Sequence, residues 1–116
     1  MTRRRNKKLE QLRKPTVREQ IYYKHLADEM GFGASVKMLP ESFRIIIPKR
    51  EGIVLSYLPS MVVLEESVAY HVAKDGEQPN DNFQYAKGQL AELGYDLLWV
   101  SDEEFPFNEY INSNAH

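Results

Sequence analysis

A segment of helical period set between two strand-length apolar runs constrains this chain more than any other feature. Phe83, Ala86, Leu90 and Leu93 fall on one stripe of a helix that Asn80 or Asp81 can cap and Gly94 can stop. Residues 68–73 form an apolar run before it. Residues 95–100 form a second after it, apolar enough for burial on both faces. Two strands joined through one helix are expected to be parallel neighbours linked by a right-handed crossover, the hand that packs a helix back onto a right-twisted sheet.

Upstream, Thr16-Val17-Arg18-Glu19 has the form of a capping box, a hydroxyl for the third helical N–H and a Glu reaching back. The helix it predicts runs to about Met30, with Tyr23, Leu26, Ala27 and Met30 repeating as a buried face and Gly31 and Gly33 as the stop. His25 and Glu29 are i,i+4 partners on it. Three runs of strand character follow at 34–39, 43–47 and 53–57, divided by Pro40-Glu41-Ser42 and Pro48-Lys49-Arg50-Glu51-Gly52. Pro59 interrupts before a run at 61–64, and Glu65-Glu66-Ser67 is a polar turn into 68–73. Ser101-Asp102-Glu103-Glu104 reads as the capped start of a helix that Pro106 keeps brief, its acids at the positive end of the dipole. The predicted order is α-β-β-β-(β)-α-β, an α/β (more strictly α+β) fold with a mixed sheet flanked by helices. Its expected organisation is a basic arm over 1–15, one domain over 16–110 and a frayed end at 111–116.

The chain has 116 residues, 42% of them hydrophobic, enough for one domain and one core. No apolar run approaches the roughly 18 residues of a membrane span, and the basic start is not followed by the apolar stretch of a signal peptide. Without cysteine, disulfides, thiolate metal sites and cysteine nucleophiles are excluded. A cytoplasmic protein without membrane contact is the expectation.

The net charge of −2 conceals a division. Arg3, Arg4, Arg5, Lys7, Lys8, Arg13 and Lys14 stand against Glu10 alone, a balance of +6, so the rest of the chain carries −8. Such an arm can grip phosphates, bind an acidic partner or fold onto its own domain. An acidic body leaves nucleic-acid affinity to the arm or to a local patch. Lys49 and Arg50, with Arg44, can extend a phosphate path, although a solvated hairpin tip has the same composition.

From residue 16 to 104 the order of elements resembles the PD-(D/E)xK nuclease superfamily, which includes the VRR-NUC nucleases and phage junction-resolving endonucleases. The stretch that falls where those enzymes carry their metal-binding Asp and Glu-x-Lys is Tyr57-Leu58-Pro59-Ser60 followed by Val68-Ala69-Tyr70-His71-Val72-Ala73-Lys74. Gly76, Pro79 and Gln84 stand as in VRR-NUC proteins, and Gly94-Tyr95-Asp96-Leu97-Leu98-Trp99-Val100-Ser101-Asp102-Glu103-Glu104 resembles their closing strand. The resemblance implies a restriction-endonuclease-like core and a site at adjoining strand ends. There, two carboxylates hold Mg²⁺, which polarises the phosphate and lowers the pKa of an attacking water, while the Lys stabilises charge.

Carried over by position, Glu19 matches an acid on the first helix, Ser60 the Asp, His71 the strand Glu and Ala73 the Lys. Shifting the register by one matches Lys74 to the Lys but places Val72 at the Glu. Neither register restores two carboxylates, so Glu19, Ser60, His71 and Lys74 are candidates for a rebuilt site only. A hydroxyl and an imidazole suit a softer metal better than Mg²⁺. Glu65 and Glu66 are candidates for displaced acids, completing a metal set with Glu19 and His71. Each candidate also has an ordinary role: Glu19 in the capping box, His71 as a structural histidine, Lys74 and the two turn acids as solvated charge. Trp99 reads as core. No supported nucleophilic triad and no phosphate-binding glycine loop is present.

The leading expectation is a catalytically degenerate nuclease-fold protein. It would bind nucleic acid, or a protein of a nucleic-acid-processing machine, as an accessory subunit or inhibitor, with no cofactor. One alternative is an active endonuclease with rearranged ligands, which would need Mg²⁺ or Mn²⁺. Another is a pure protein-interaction module whose acidic body docks a basic surface. Tyr22-Tyr23 can serve a homodimer contact.

Overall fold

Helix α1 (Val17–Lys24) begins at the expected cap. Thr16 Oγ1 accepts the Glu19 N–H and the Glu19 carboxylate accepts the Thr16 N–H, so two otherwise orphaned donors are satisfied reciprocally. The computed structural model describes residues 13–48 and 54–113. Beyond Lys24 the coil widens into a π-helical turn, His25–Glu29, instead of the expected α-helix to Met30. The wider turn rotates Met30 away from the core, leaving it 54% exposed. The rest of the expected face holds, Leu26 buried and Tyr23 and Ala27 half-buried against the core, and Ile21 joins it. His25 and Glu29 do pair, at 2.7 Å.

Ala34 and Ser35, expected to open a strand, lie instead in a 3₁₀ turn (Gly33–Ser35), and strand β1 is short (Val36–Met38). A second 3₁₀ turn (Glu41–Phe43) replaces the start of the next expected strand. β2 (Ile45–Pro48) then pairs antiparallel with β3 (Val54–Tyr57) as a separate two-stranded ribbon. The main sheet is completed by β4 (Met61–Val63), β5 (Val68–Val72) and β6 (Asp96–Val100), in the order β1-β4-β5-β6. β1, β4 and β5 pair antiparallel, whereas β5 and β6 are parallel, as the intervening helix α2 (Asp81–Glu92) requires. The domain is therefore α+β with a mixed sheet. Asn80 caps α2 by accepting the Phe83 N–H at 2.9 Å.

Strand alternation divides the core between the two faces of the sheet. Met61, Val63, Val72 and Val100 meet Ile21, Leu26, Phe105 and Phe107 on one face. Val62, Ala69 and Leu97 meet Phe83, Ala86 and Leu90 of α2 on the other, with Ile45 and Tyr57 of the ribbon packed alongside. Leu93, expected on the α2 stripe, lies past the end of the helix and is exposed. β6 is not buried on both faces: it is the edge strand, and Asp96 and Leu98 are exposed.

The largest departure is at the C-terminal end. Ser101–Glu104 is a turn closed on itself, the Ser101 N–H and hydroxyl both donating to Glu104 Oε1 at 2.7 Å. The helix comes after Pro106, as α3 (Phe107–Ser113), and continues past residue 110 into the stretch expected to be frayed. Phe107 is fully buried. Among the described residues, no helix is long and apolar enough to cross a membrane.

Candidate functional site

The start of α1, the start of β4 and the end of β5 converge on a cleft of about 210 Å³ lined by Arg13, Glu19, Tyr57, Ser60, His71, Lys74 and Glu77. Four candidates named from the sequence, Glu19, Ser60, His71 and Lys74, are thus brought together. Glu65 and Glu66 are not. They lie exposed in the 3₁₀ turn at the opposite end of β4, a strand length of roughly 10 Å from Ser60.

Glu19 is 3% exposed, an unusual place for a carboxylate. Its position is explained by its partners. Arg13 grips it with both terminal nitrogens, one to each carboxylate oxygen, at 2.8 Å. The Thr16 N–H adds a third bond at 2.9 Å. Burial alone would raise the Glu19 carboxyl, but the Arg13 hydrogen bonds, the neighbouring Ser60 hydroxyl, Thr16 and the Arg13 charge together hold it below the usual carboxylate range. Arg13, read from sequence as part of a phosphate-binding arm, is therefore committed to the domain's own carboxylate. Lys14 is exposed. Arg3, Arg4, Arg5, Lys7, Lys8, Lys49 and Arg50 lie outside the described residues.

Ser60 is 2% exposed and knitted into the sheet. Its N–H donates to the Tyr70 carbonyl at 2.8 Å, its carbonyl accepts the Leu39 N–H at 2.8 Å, and its hydroxyl oxygen accepts the Val72 N–H at 2.9 Å. A side chain that completes backbone pairing between β4 and β5 has a full structural role.

His71 sits among aromatic rings. Trp99 stacks on it at 4.4 Å and 9°, Tyr57 lies nearly parallel to it at 5.7 Å and 19°, and Phe83 meets it edge-on at 5.6 Å. Both ring nitrogens are engaged, Nδ1 with the Tyr57 hydroxyl at 2.7 Å and Nε2 with Glu77 Oε2 at 3.2 Å. A carboxylate only accepts, so Nε2 carries the proton and the Tyr57 hydroxyl donates to Nδ1 of the neutral ring. Glu77 is placed by the turn after β5: Gly76 takes φ +79°, where a side chain would be strained, and Glu77 Oε1 accepts the Lys74 N–H at 2.8 Å. Tyr57, Glu77 and Trp99 are the site residues that sequence reasoning missed. The Asp75-Gly76 turn was the one signal that the chain doubles back toward His71.

Burial holds the His71 imidazole below its ordinary value, against the upward pull of Glu77. The unfolded chain therefore takes up this proton first as pH falls, and stability drains away below about pH 6.5. His71→Gln should flatten that part of the profile. Urea midpoints that stay level from about pH 7 to pH 5 in the unsubstituted protein would rule out a buried, neutral His71.

A nuclease of the resembled kind uses Mg²⁺, and the donor set does not fit it. The cleft presents two carboxylates, Glu19 already matched by Arg13 and Glu77 bonded to His71 and the Lys74 N–H, with a hydroxyl tied to the backbone and an imidazole with both nitrogens engaged, whereas Mg²⁺ favours uncommitted carboxylate oxygens. Among the described residues, no three His, Asp or Glu side chains form a metal-holding group.

A second hollow of about 350 Å³ adjoins the first, shares Lys74 and Glu77 with it, and continues along Trp99 to Asp102 and Glu103. Arg18 walls it, donating to the Ala73 carbonyl at 2.8 Å and to Asp102 at 3.0 Å. Tyr22 packs against Tyr70 and Phe105 at 5.2 Å, and Tyr23 against the same core, both half-buried. Comparison with protein-family models, curated proteins and solved structures finds no match to this chain.

Proposed function

We propose that this chain is a nuclease-like domain with a restriction-endonuclease-like core, without the family's metal chemistry, that works by binding nucleic acid through its basic arm. One observation carries the reading: Glu19, Ser60 and His71 meet in a single cleft at adjoining strand ends, and the Glu19 carboxylate is neutralised by Arg13. Arg3, Arg4, Arg5, Lys7 and Lys8 precede Arg13 in the chain, and Arg13 itself lines that cleft.

Two assays test the proposal. End-labelled linear, single-stranded and branched DNA should stay intact on a denaturing gel in Mg²⁺ and in Mn²⁺. Cleavage that Glu19→Ala abolishes would instead favour an endonuclease with rearranged ligands. Binding followed by fluorescence anisotropy should weaken by about 10²–10³-fold between roughly 50 and 200 mM salt if about five phosphates are engaged. Deleting residues 1–12, which spares Arg13, should remove it. A chain that binds no nucleic acid at low salt but forms a stable complex with a protein would be an interaction module instead.

A further inference from the structure

We infer that the cleft is a cation site filled by the chain itself, with the Arg13 guanidinium as its resident cation. Glu19 offers both oxygens in one plane, 3% exposed, at the meeting point of α1, β4 and β5. A buried carboxylate in that position needs a metal, a proton or a basic side chain. Arg13 meets the need with two parallel 2.8 Å bonds, the bidentate fork that a guanidinium makes and an ammonium cannot. Thr16 donates to Oε1 alone, whereas Arg13 bonds both carboxylate oxygens as a chelating cation would. The Arg13 side chain is 43% exposed and Glu19 takes two of its five N–H groups, so the cation caps the cleft from the solvent side. Lys74 also lines the cleft, but its side chain is exposed and its N–H serves Glu77. The pairing involves no nucleic acid, so it stands or falls separately from the binding proposed above.

The test is urea unfolding of the full chain and of Arg13→Gln, Arg13→Lys and the double variant Arg13→Gln/Glu19→Gln. Each is measured in millimolar Mg²⁺, in Mn²⁺ and in EDTA. The unsubstituted protein should give the same midpoint in all three solutions. Arg13→Gln should raise the ratio of unfolded to folded chain by about 10-fold or more, discounted for the exposure of Arg13. The double variant should recover most of that loss, because it removes the unmatched charge, and Arg13→Lys should fall between. If Arg13→Gln fails to fold, folding of the double variant gives the same result. Three outcomes overturn the inference: Arg13→Gln as stable as the parent, a double variant no better than Arg13→Gln, or a parent that Mg²⁺ or Mn²⁺ stabilises over EDTA.

Discussion

Phe107→Ala is expected to cost about 3–5 kcal/mol, read from the urea midpoint at unchanged slope. Phe107 is fully buried and packs its ring 4.9 Å from Phe105 and 6.2 Å from Tyr22. The Arg18 guanidinium lies 4.3 Å over its face while also holding the Ala73 carbonyl and Asp102. Truncation removes the transfer energy of a buried aromatic and leaves a cavity that three elements border. It also loosens Arg18 and with it the wall of the second hollow. Tyr110→Phe, on the same helix as Phe107, is the control: it deletes only the exposed contacts of the Tyr110 hydroxyl with the Glu29 carboxylate and should leave the urea midpoint nearly unchanged. If Phe107→Ala is as mild as the control, the C-terminal segment is not part of the core.

Glu19→Ala should cost about 2–4 kcal/mol. It ends the capping box, worth about 1 kcal/mol, and leaves Arg13 without its partner. The exposure of Arg13 keeps the figure below that of a fully buried pair, since water can recover part of the guanidinium's solvation. Glu19→Gln keeps the shape of the cap and should lose less. The pH dependence gives an independent reading. Because the folded carboxyl titrates below its ordinary value, its stabilisation is present above that value and is lost as pH falls through and below about 4.5. The His71 window lies higher, so the two contributions separate along one acid titration, and Glu19→Gln should flatten only the lower part.

Elements signalled by a few neighbouring residues were legible in the sequence. The capping box at Thr16 and the N-cap before the second helix depend on bonds spanning three residues; the first forms as read, and of the two caps offered for the second it is Asn80 that serves. The parallel pairing of β5 with β6 follows from one helix between two apolar runs. Misreadings arose where an apolar or small residue had two local options. Ala34, Ser35 and Phe43 read as strand but lie in 3₁₀ turns that begin beside Gly33 and Pro40. Met30 continues an i, i+7 pattern that a π-turn breaks. Phe107 follows Pro106, and proline is as good a helix start as a helix stop.

The sequence by itself determined the order of the elements, the caps of two helices, the absence of thiol chemistry and the identities of Glu19, Ser60 and His71 as residues for one place. Tertiary structure alone decided what each of them does there. The Tyr57–His71 bond joins residues 14 apart and the Arg18–Asp102 pair residues 84 apart, distances over which no periodicity carries information. Arg13 lies only six residues from Glu19, but nothing local directs it inward. It turns toward Glu19 because packing has buried a carboxylate there, and a buried charge must be matched.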